Sequence, residues 1–330
     1  MEKRRLGASE LWVKSVGLGC MGFSHASGDP MPKDEAVRAL REAYELGYDF
    51  FDTAEAYTGL YPDGTVSCNE ELVGEALRPV RDKVVIATKM GVSHNADRSL
   101  RLDSSPETIR ASLEKSLKKL GMDCVDLYYQ HRIDPKVEPE TVAETMKELI
   151  REGKIRAWGI SETTEEYLRR AHAVCPVTAI ENRYSMMARW HEGIFPACEE
   201  LNIAYVAFSP MANGFLTGAY SPATKFEGSQ DYRANMPQYT EEGYAKGREL
   251  LDLLEKMAAE KGCTMAQLSL AWMICKKPYI IPIPGSRKID RLRANFEAGN
   301  IVVTPEEIAA IDAKLDTMSF DVFGGHAAQK

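Results

Sequence analysis

Three short apolar runs in this chain end at an ionisable residue, and a tyrosine follows the first of them. Tyr48-Asp49-Phe50-Phe51 stops at Asp52, Val84-Val85-Ile86-Ala87-Thr88 at Lys89, and Val125-Asp126-Leu127-Tyr128-Tyr129-Gln130 at His131. Tyr57 lies five residues beyond Asp52, ahead of the next helical pattern. An acid at the end of an apolar strand is costly to bury unless it meets a cation or a donor. Lys89 is the cation in a matching place. An unperturbed phenol titrates near 10, so Tyr57 needs tuning to act as an acid or base at neutral pH. A neighbouring ammonium stabilises phenolate and lowers that value, while the aspartate keeps the lysine charged and oriented. An imidazole beside them can donate to a carbonyl oxygen or share a proton with the phenol. Converging at one mouth, Asp52, Tyr57, Lys89 and His131 would offer a carbonyl oxygen a proton and a place for developing negative charge. Singly, each has a plainer reading: a structural ion pair, a loop tyrosine that packs, a satisfied core histidine. Their conjunction at successive strand ends favours chemistry, because the strand ends of a parallel barrel are where that fold carries its active site.

Placing those residues requires alternating strands and helices, and the chain supplies them. After an extended pair around Gly7-Ala8-Ser9, Ser15–Gly19 reads as a first strand. The run from Lys33 to Leu46 has apolar residues at helical spacing and closes at Gly47. Ser105 and Gly121 bracket another helical stretch as cap and stop. Further strands are predicted at Ile155 to Ile160, Val177 to Asn182, Ile203 to Phe208 and Ile280 to Pro284, with helices between them. Eight such units imply a (β/α)8 barrel in one domain spanning residues 1–330, with an N-terminal hairpin and extra C-terminal helices. Residues 212–239, rich in Gly, Ser, Pro, Asn and Tyr, have no period and read as a long loop or lid after the seventh strand. The tail from Met318 to Lys330 reads as loop.

Composition narrows the classes. A net charge of −8 argues against non-specific attraction to nucleic acid or anionic membranes. No apolar run approaches the roughly 20 residues of a membrane span, and MEKRRLGASE lacks the apolar core of a signal peptide. The seven cysteines are dispersed without a C-x-x-C, which reads as reduced thiols in the cytoplasm. None of the six histidines lies three or four residues from another, so no metal site is expected. G-x-S-x-G is absent too, against serine hydrolysis.

The motifs resemble those of the aldo-keto reductases over nearly the whole length. Gly17-Leu18-Gly19-Cys20-Met21-Gly22, FFDTAEAYTG, Asn69-Glu70-Glu71-Leu72-Val73-Gly74, Ala87-Thr88-Lys89, DLYYQH, the run from Gly153 to Ser161, Phe208-Ser209-Pro210-Met211 and Ile283-Pro284-Gly285-Ser286-Arg287 carry the likeness. It is similar to the bacterial and plant members with LYYQHR and GISE motifs. The resemblance implies a barrel that binds NADP(H) in extended form and passes a hydride to an aldehyde or ketone, without a Rossmann fold. It implies Tyr57 as proton donor, Lys89 as its tuner, Asp52 as the partner of Lys89 and His131 as the group that orients the carbonyl. Ser161, Glu162 and Glu181 fall where the carboxamide is bound, and Phe208 where an aromatic stacks on the nicotinamide. Cys20, Met21 and Asp52 are also expected at the cofactor. Ser209, Pro210, Met211, Ala212, Asn213 and Gly214 would approach the pyrophosphate. Gly285, Ser286, Arg287, Arg291 and Asn295 would take the adenosine end. A helix start with guanidinium groups suits a phosphate, which favours NADPH over NADH.

One departure stands out: Glu181 replaces the usual Gln, and a carboxylate cannot donate to the carboxamide oxygen. Phe23, Tyr61, Met90 and Arg132 are expected at the substrate, with Met21, Met186 and Trp190 on the same mouth loops. Such a lining suits apolar or aromatic small-molecule carbonyls; plain loop packing is the competing reading. A second functional reading is a redox-sensing regulatory subunit that binds the nicotinamide cofactor with slow turnover. Oligomeric state is left open.

Overall fold

The computed structural model describes residues 1–26, 28–95, 99–226 and 231–322. Eight parallel strands form one curled sheet: β1 (Leu18–Gly19), β2 (Phe50–Asp52), β3 (Val85–Met90), β4 (Val125–Gln130), β5 (Ile155–Ser161), β6 (Ala179–Arg183), β7 (Ala204–Phe208) and β8 (Ile280–Pro282). Each strand pairs with its neighbour in sequence order. Gly17 N donates to Pro282 O at 3.0 Å, joining the first strand segment to the last and closing the ring. The (β/α)8 barrel expected from the sequence is the fold.

Helices α1 (Lys33–Leu46), α2 (Asn69–Leu77), α3 (Pro106–Leu120), α4 (Pro139–Arg151), α5 (Glu165–Val174) and α6 (Phe195–Leu201) follow β1 to β6 in turn. Between β7 and β8 come α7 (Glu241–Lys261) and α8 (Met265–Lys276); α9 (Ile289–Glu297) and α10 (Pro305–Leu315) follow β8. Their ends lie where local chemistry puts them. Ser105 Oγ accepts from Thr108 N, Pro106 opens α3, and Gly121 ends it at φ 67°. Reciprocal capping boxes, Thr264 with Gln267 and Thr304 with Glu307, start α8 and α10. No helix among the described residues is long and apolar enough to cross a membrane.

Strand alternation separates two cores. One face of the sheet, with Phe50, Val85, Ala87, Leu127, Ala157, Ala179, Val206 and Ile281, fills the barrel. The other face packs against the helices through residues such as Phe51, Ile86, Tyr128, Trp158 and Ile180. The N-terminal hairpin (Lys3–Arg5 with Trp12–Lys14) brings Leu6, Leu11 and Val13 into the inner core. That hairpin covers the end of the barrel where the strands begin, so the site must lie at the other end.

Two hairpins at that mouth are additions to the sequence reading: Thr58–Leu60 with Val66–Cys68, and Val92–His94 with Leu100–Leu102. The long loop after β7 is not featureless. Its described part holds 3-10 turns at Ala212–Thr217, Tyr232–Asn235 and Pro237–Tyr239. Of the tail expected as loop, Met318 to Val322 has no helix or strand, and the rest lies outside the described residues.

Candidate active site

Strand twist and alternation bring the four residues together. Asp52 and Lys89 project from β2 and β3 into the barrel, and both are buried. Lys89 Nζ donates to Asp52 Oδ1 and, at 2.9 Å, to Thr53 O. The same ammonium stands 3.4 Å from the Tyr57 hydroxyl. His131, just past β4, sets its ring edge-on to Tyr57, with centroids 5.7 Å apart. Its backbone N donates to Met90 O at 3.0 Å, which fixes the end of β4 against that of β3.

The electrostatics differ from the sequence expectation in one respect. Burial pushes the Tyr57 phenol up to about 12, against the downward pull of Lys89. The ammonium does not win, so Tyr57 is a neutral hydroxyl at physiological pH, in the form that can donate a proton. Lys89 is itself pulled down by burial, but Asp52, Glu181 and Tyr57 outweigh this and hold it well above the ordinary lysine value.

Asn69, the first residue of α2, holds the Tyr57 loop. It accepts from Thr53 Oγ1 at 2.7 Å and donates to Cys20 O at 2.9 Å and Ser24 Oγ at 2.7 Å. Ser24 Oγ in turn donates to Tyr57 O at 2.9 Å, and Asn69 N donates to the same carbonyl at 3.0 Å. His25 stacks on the outer face of Tyr57, with centroids 6.1 Å apart and planes 18° from parallel. Tyr232, from the loop after β7, meets His25 edge-on at 5.7 Å.

A family model for the aldo/keto reductases matches residues 15–316. The chain belongs to the aldo/keto reductase family, a family of oxidoreductases. Among solved structures, a glycerol dehydrogenase from Gluconobacter oxydans is similar at 27% identity, with a TM-score of 0.84 over 96% of this chain and 95% of that one. An aldo-keto reductase from Bacillus halodurans, solved in its holo form, matches at 27% identity and TM-score 0.76, covering 99% of each chain. An aldo/keto reductase from Klebsiella pneumoniae, in complex with NADP and acetate, shares the fold at 24% identity (TM-score 0.73, 98% of this chain and 99% of that one).

In this aldo/keto reductase, several residues expected at the cofactor sit at or just past the ends of β5 to β8. Ser161 ends β5 beside Glu181 of β6, and Arg183 of β6 pairs with Phe208 of β7. Arg132 donates to Ser161 Oγ at 3.1 Å and lies 5.8 Å from the Phe208 ring centre. Glu162 takes a left-handed φ of 52°, and its carboxylate accepts from Arg183 N at 2.8 Å. Ser209, Ala212 and Asn213 are also left-handed, at φ 51°, 48° and 59°, and Gly214 follows at 101°. Non-glycine residues in that region cost about 1–3 kcal/mol each and persist where surrounding structure enforces them, often around ligands. Asn213 Oδ1 is buried without a hydrogen-bond partner. At the seam, a Cβ on Gly19 would lie 2.6 Å from Ile283 O, and one on Gly285 2.6 Å from Gly19 O. Arg287 crosses that seam, donating to Gly22 O at 2.5 Å and Asp29 O at 2.8 Å. Arg291 is exposed on α9, Asn295 is buried on the same helix, and Ser286 Oγ accepts from Lys288 N at 3.1 Å.

One expected contact is corrected by strand alternation, and three other expected residues are deeply buried. Met90 follows inward-facing Lys89, so alternation turns it outward into the strand–helix core, where it is fully buried. Phe23 and Met186 pack into that same core, as does the Cys20 thiol. The Met90 side chain therefore does not line the mouth. Tyr61 and Trp190 are half-buried, and Tyr61 donates to Met31 O at 3.2 Å. Arg183, His25 and Tyr232 escaped the sequence reading. For Arg183 a signal was present: it shares the inward face of β6 with Ala179 and Glu181.

Proposed function

We propose that the protein is an NADPH-dependent carbonyl reductase that converts a small aldehyde or ketone to the alcohol, with Tyr57 as proton donor. The observation that carries this reading is the Tyr57 hydroxyl 3.4 Å from a buried ammonium that is itself tied to Asp52. A bound nicotinamide supplies the hydride that reaches the carbonyl carbon. The chain supplies the rest. Tyr57 O–H donates to the carbonyl oxygen and gives up its proton as negative charge develops there. Lys89, kept charged by Asp52, stabilises the phenolate that remains, and a solvent proton restores the phenol. His131, edge-on to Tyr57, orients the oxygen. The inner barrel face beneath keeps bulk water from the reacting atoms.

Ser161, Glu162 and Glu181 are proposed to hold the carboxamide, Phe208 to stack on the ring, and residues 209–214 to follow the pyrophosphate. The left-handed backbone there favours a segment held close against a ligand over empty loop. Ser286, Arg287 and Arg291 surround the start of α9, which has no side-chain cap, and this supports a phosphate at the adenosine end and hence NADPH. Arg132, half-exposed beside Phe208, and Tyr61 are the proposed substrate-side contacts.

The test is NADPH oxidation, followed by absorbance, with a panel of aldehydes, α-dicarbonyls and ketones. Turnover that falls by about 10²–10⁴ in Tyr57→Phe while cofactor binding persists is expected. Tight NADPH binding with no turnover on any member would favour the sensor reading. No binding of NADPH or NADH would overturn both.

A further inference from the structure

Glu181 brings a third buried ionisable group to a pair already neutralised. Asp52 and Glu181 are each 2% exposed and Lys89 is fully buried. Lys89 donates to Asp52, and its Nζ stands 3.4 Å from Glu181 Oε1. One ammonium balances one carboxylate, and a second buried charge would be left uncompensated. Asp52 Oδ2 and Glu181 Oε2 are both buried, and neither has a hydrogen-bond partner among the described groups. The less costly arrangement beside a single ammonium carries one of the two as the neutral acid. Asp52 has the closer contact with the ammonium, which assigns the proton to Glu181. Burial, with the Asp52 charge added, raises Glu181 to about 8.

The charged and titratable groups facing Glu181 are Asp52 on β2, Tyr57 in the loop after it, Lys89 on β3, Tyr129 on β4, and Arg132 just past β4. Tyr57 feels Lys89 and Glu181 with opposite sign: the ammonium favours loss of its proton and an ionised Glu181 opposes it. We propose that Glu181 is carried as a neutral acid beside the Asp52–Lys89 pair, and that the presence of this proton decides how much of the Lys89 charge acts on the Tyr57 hydroxyl. A glutamine at this position has no such proton to lose. Besides its proposed contact with the carboxamide, Glu181 acts on the proton transfer through Lys89 and Tyr57. This rests on the reading of Tyr57 as proton donor; the protonation of Glu181 itself does not.

Two measurements separate those claims. In cofactor-free protein, infrared difference spectra between wild type and Glu181→Gln should contain a protonated-carboxyl C=O band that titrates away near pH 8. At saturating NADPH, the wild-type reduction rate should fall about tenfold by roughly pH 9, one unit above that midpoint. Glu181→Gln should lack this step. Should that variant not fold, Glu181→Met serves the same comparison. Absence of the acid band near neutral pH, or the same rate step surviving in the variant, would overturn the proposal. If the wild type reduces no carbonyl, the proton-donor reading falls, while the infrared band still decides whether Glu181 holds a proton.

Discussion

Lys89 Nζ stands 3.4 Å from the Tyr57 hydroxyl and 5.0 Å from the centre of its ring. The ammonium therefore faces the edge where phenolate charge would appear, while burial of the same ring opposes that charge. The balance between these two effects sets the pH behaviour of the site.

An acid catalyst is active while protonated and is lost as pH rises through its pKa. Burial is the largest effect on Tyr57, so kcat for reduction in a Glu181→Gln background should stay level through neutrality and fall only in the alkaline range. A pH–rate profile with a fall centred near neutrality in that background would mean that the ammonium outweighs burial.

Asp52→Asn and Lys89→Met should differ in cost. Removing Asp52 leaves Glu181 3.4 Å from the ammonium, free to ionise and replace the lost partner. Removing Lys89 leaves two buried carboxyls with no cation between them, and breaking such a pair costs about 3–5 kcal/mol. Lys89→Met should therefore unfold at the lower urea concentration at neutral pH. Its stability should recover as pH falls, because both acids then bind protons in the native state that the unfolded chain does not. Equal urea midpoints for the two variants would rule out the substitute role of Glu181.

Asn69→Leu keeps the size of the side chain and removes its bonds to Thr53, Cys20 and Ser24. A cost of about 1–3 kcal/mol follows from leaving buried groups unpaired. The segment this loosens carries Tyr57, so kcat should fall while NADPH affinity, measured by fluorescence titration, stays within about twofold, as expected for a site with no shared contact.

How much of this was legible beforehand depended on the range of the interactions. Helices with caps and stops, such as Ser105 to Gly121, could be read from neighbouring residues, and so could the strand ends that carry Asp52, Lys89 and His131. The mouth hairpins escaped because strands of three residues show too little alternation to register, although Pro62-Asp63-Gly64 signals the turn of the first. The 3-10 turns after β7 have no hydrophobic period to read. Met90 was misplaced by judging its type without its alternation with Lys89. The proximity of Glu181 to Lys89 belongs to no local pattern, since their non-adjacent strands face each other only when the barrel closes.

Gly159→Ala should destabilise the barrel from within. A Cβ there would lie 2.5 Å from Ala179 O and closer still to the Tyr129 ring. Overpacking of this kind costs about 1–3 kcal/mol, more where backbone must move. Differential scanning calorimetry should record a lower Tm, which Gly159→Ala with Tyr129→Leu partly restores.

That ring over Gly159 is also a floor. Tyr129 is fully buried one layer beneath Ser161 and Glu181, and it stops the barrel interior from serving as an extension of the pocket. No substitution at the rim can deepen the well, and a longer substrate must extend outward, along the two mouth hairpins and the loop after β7. Depth is thus inherited with the fold, while breadth and reach are left to segments that can change without touching the catalytic four. A lineage could exchange one carbonyl for another by rewriting its rim alone.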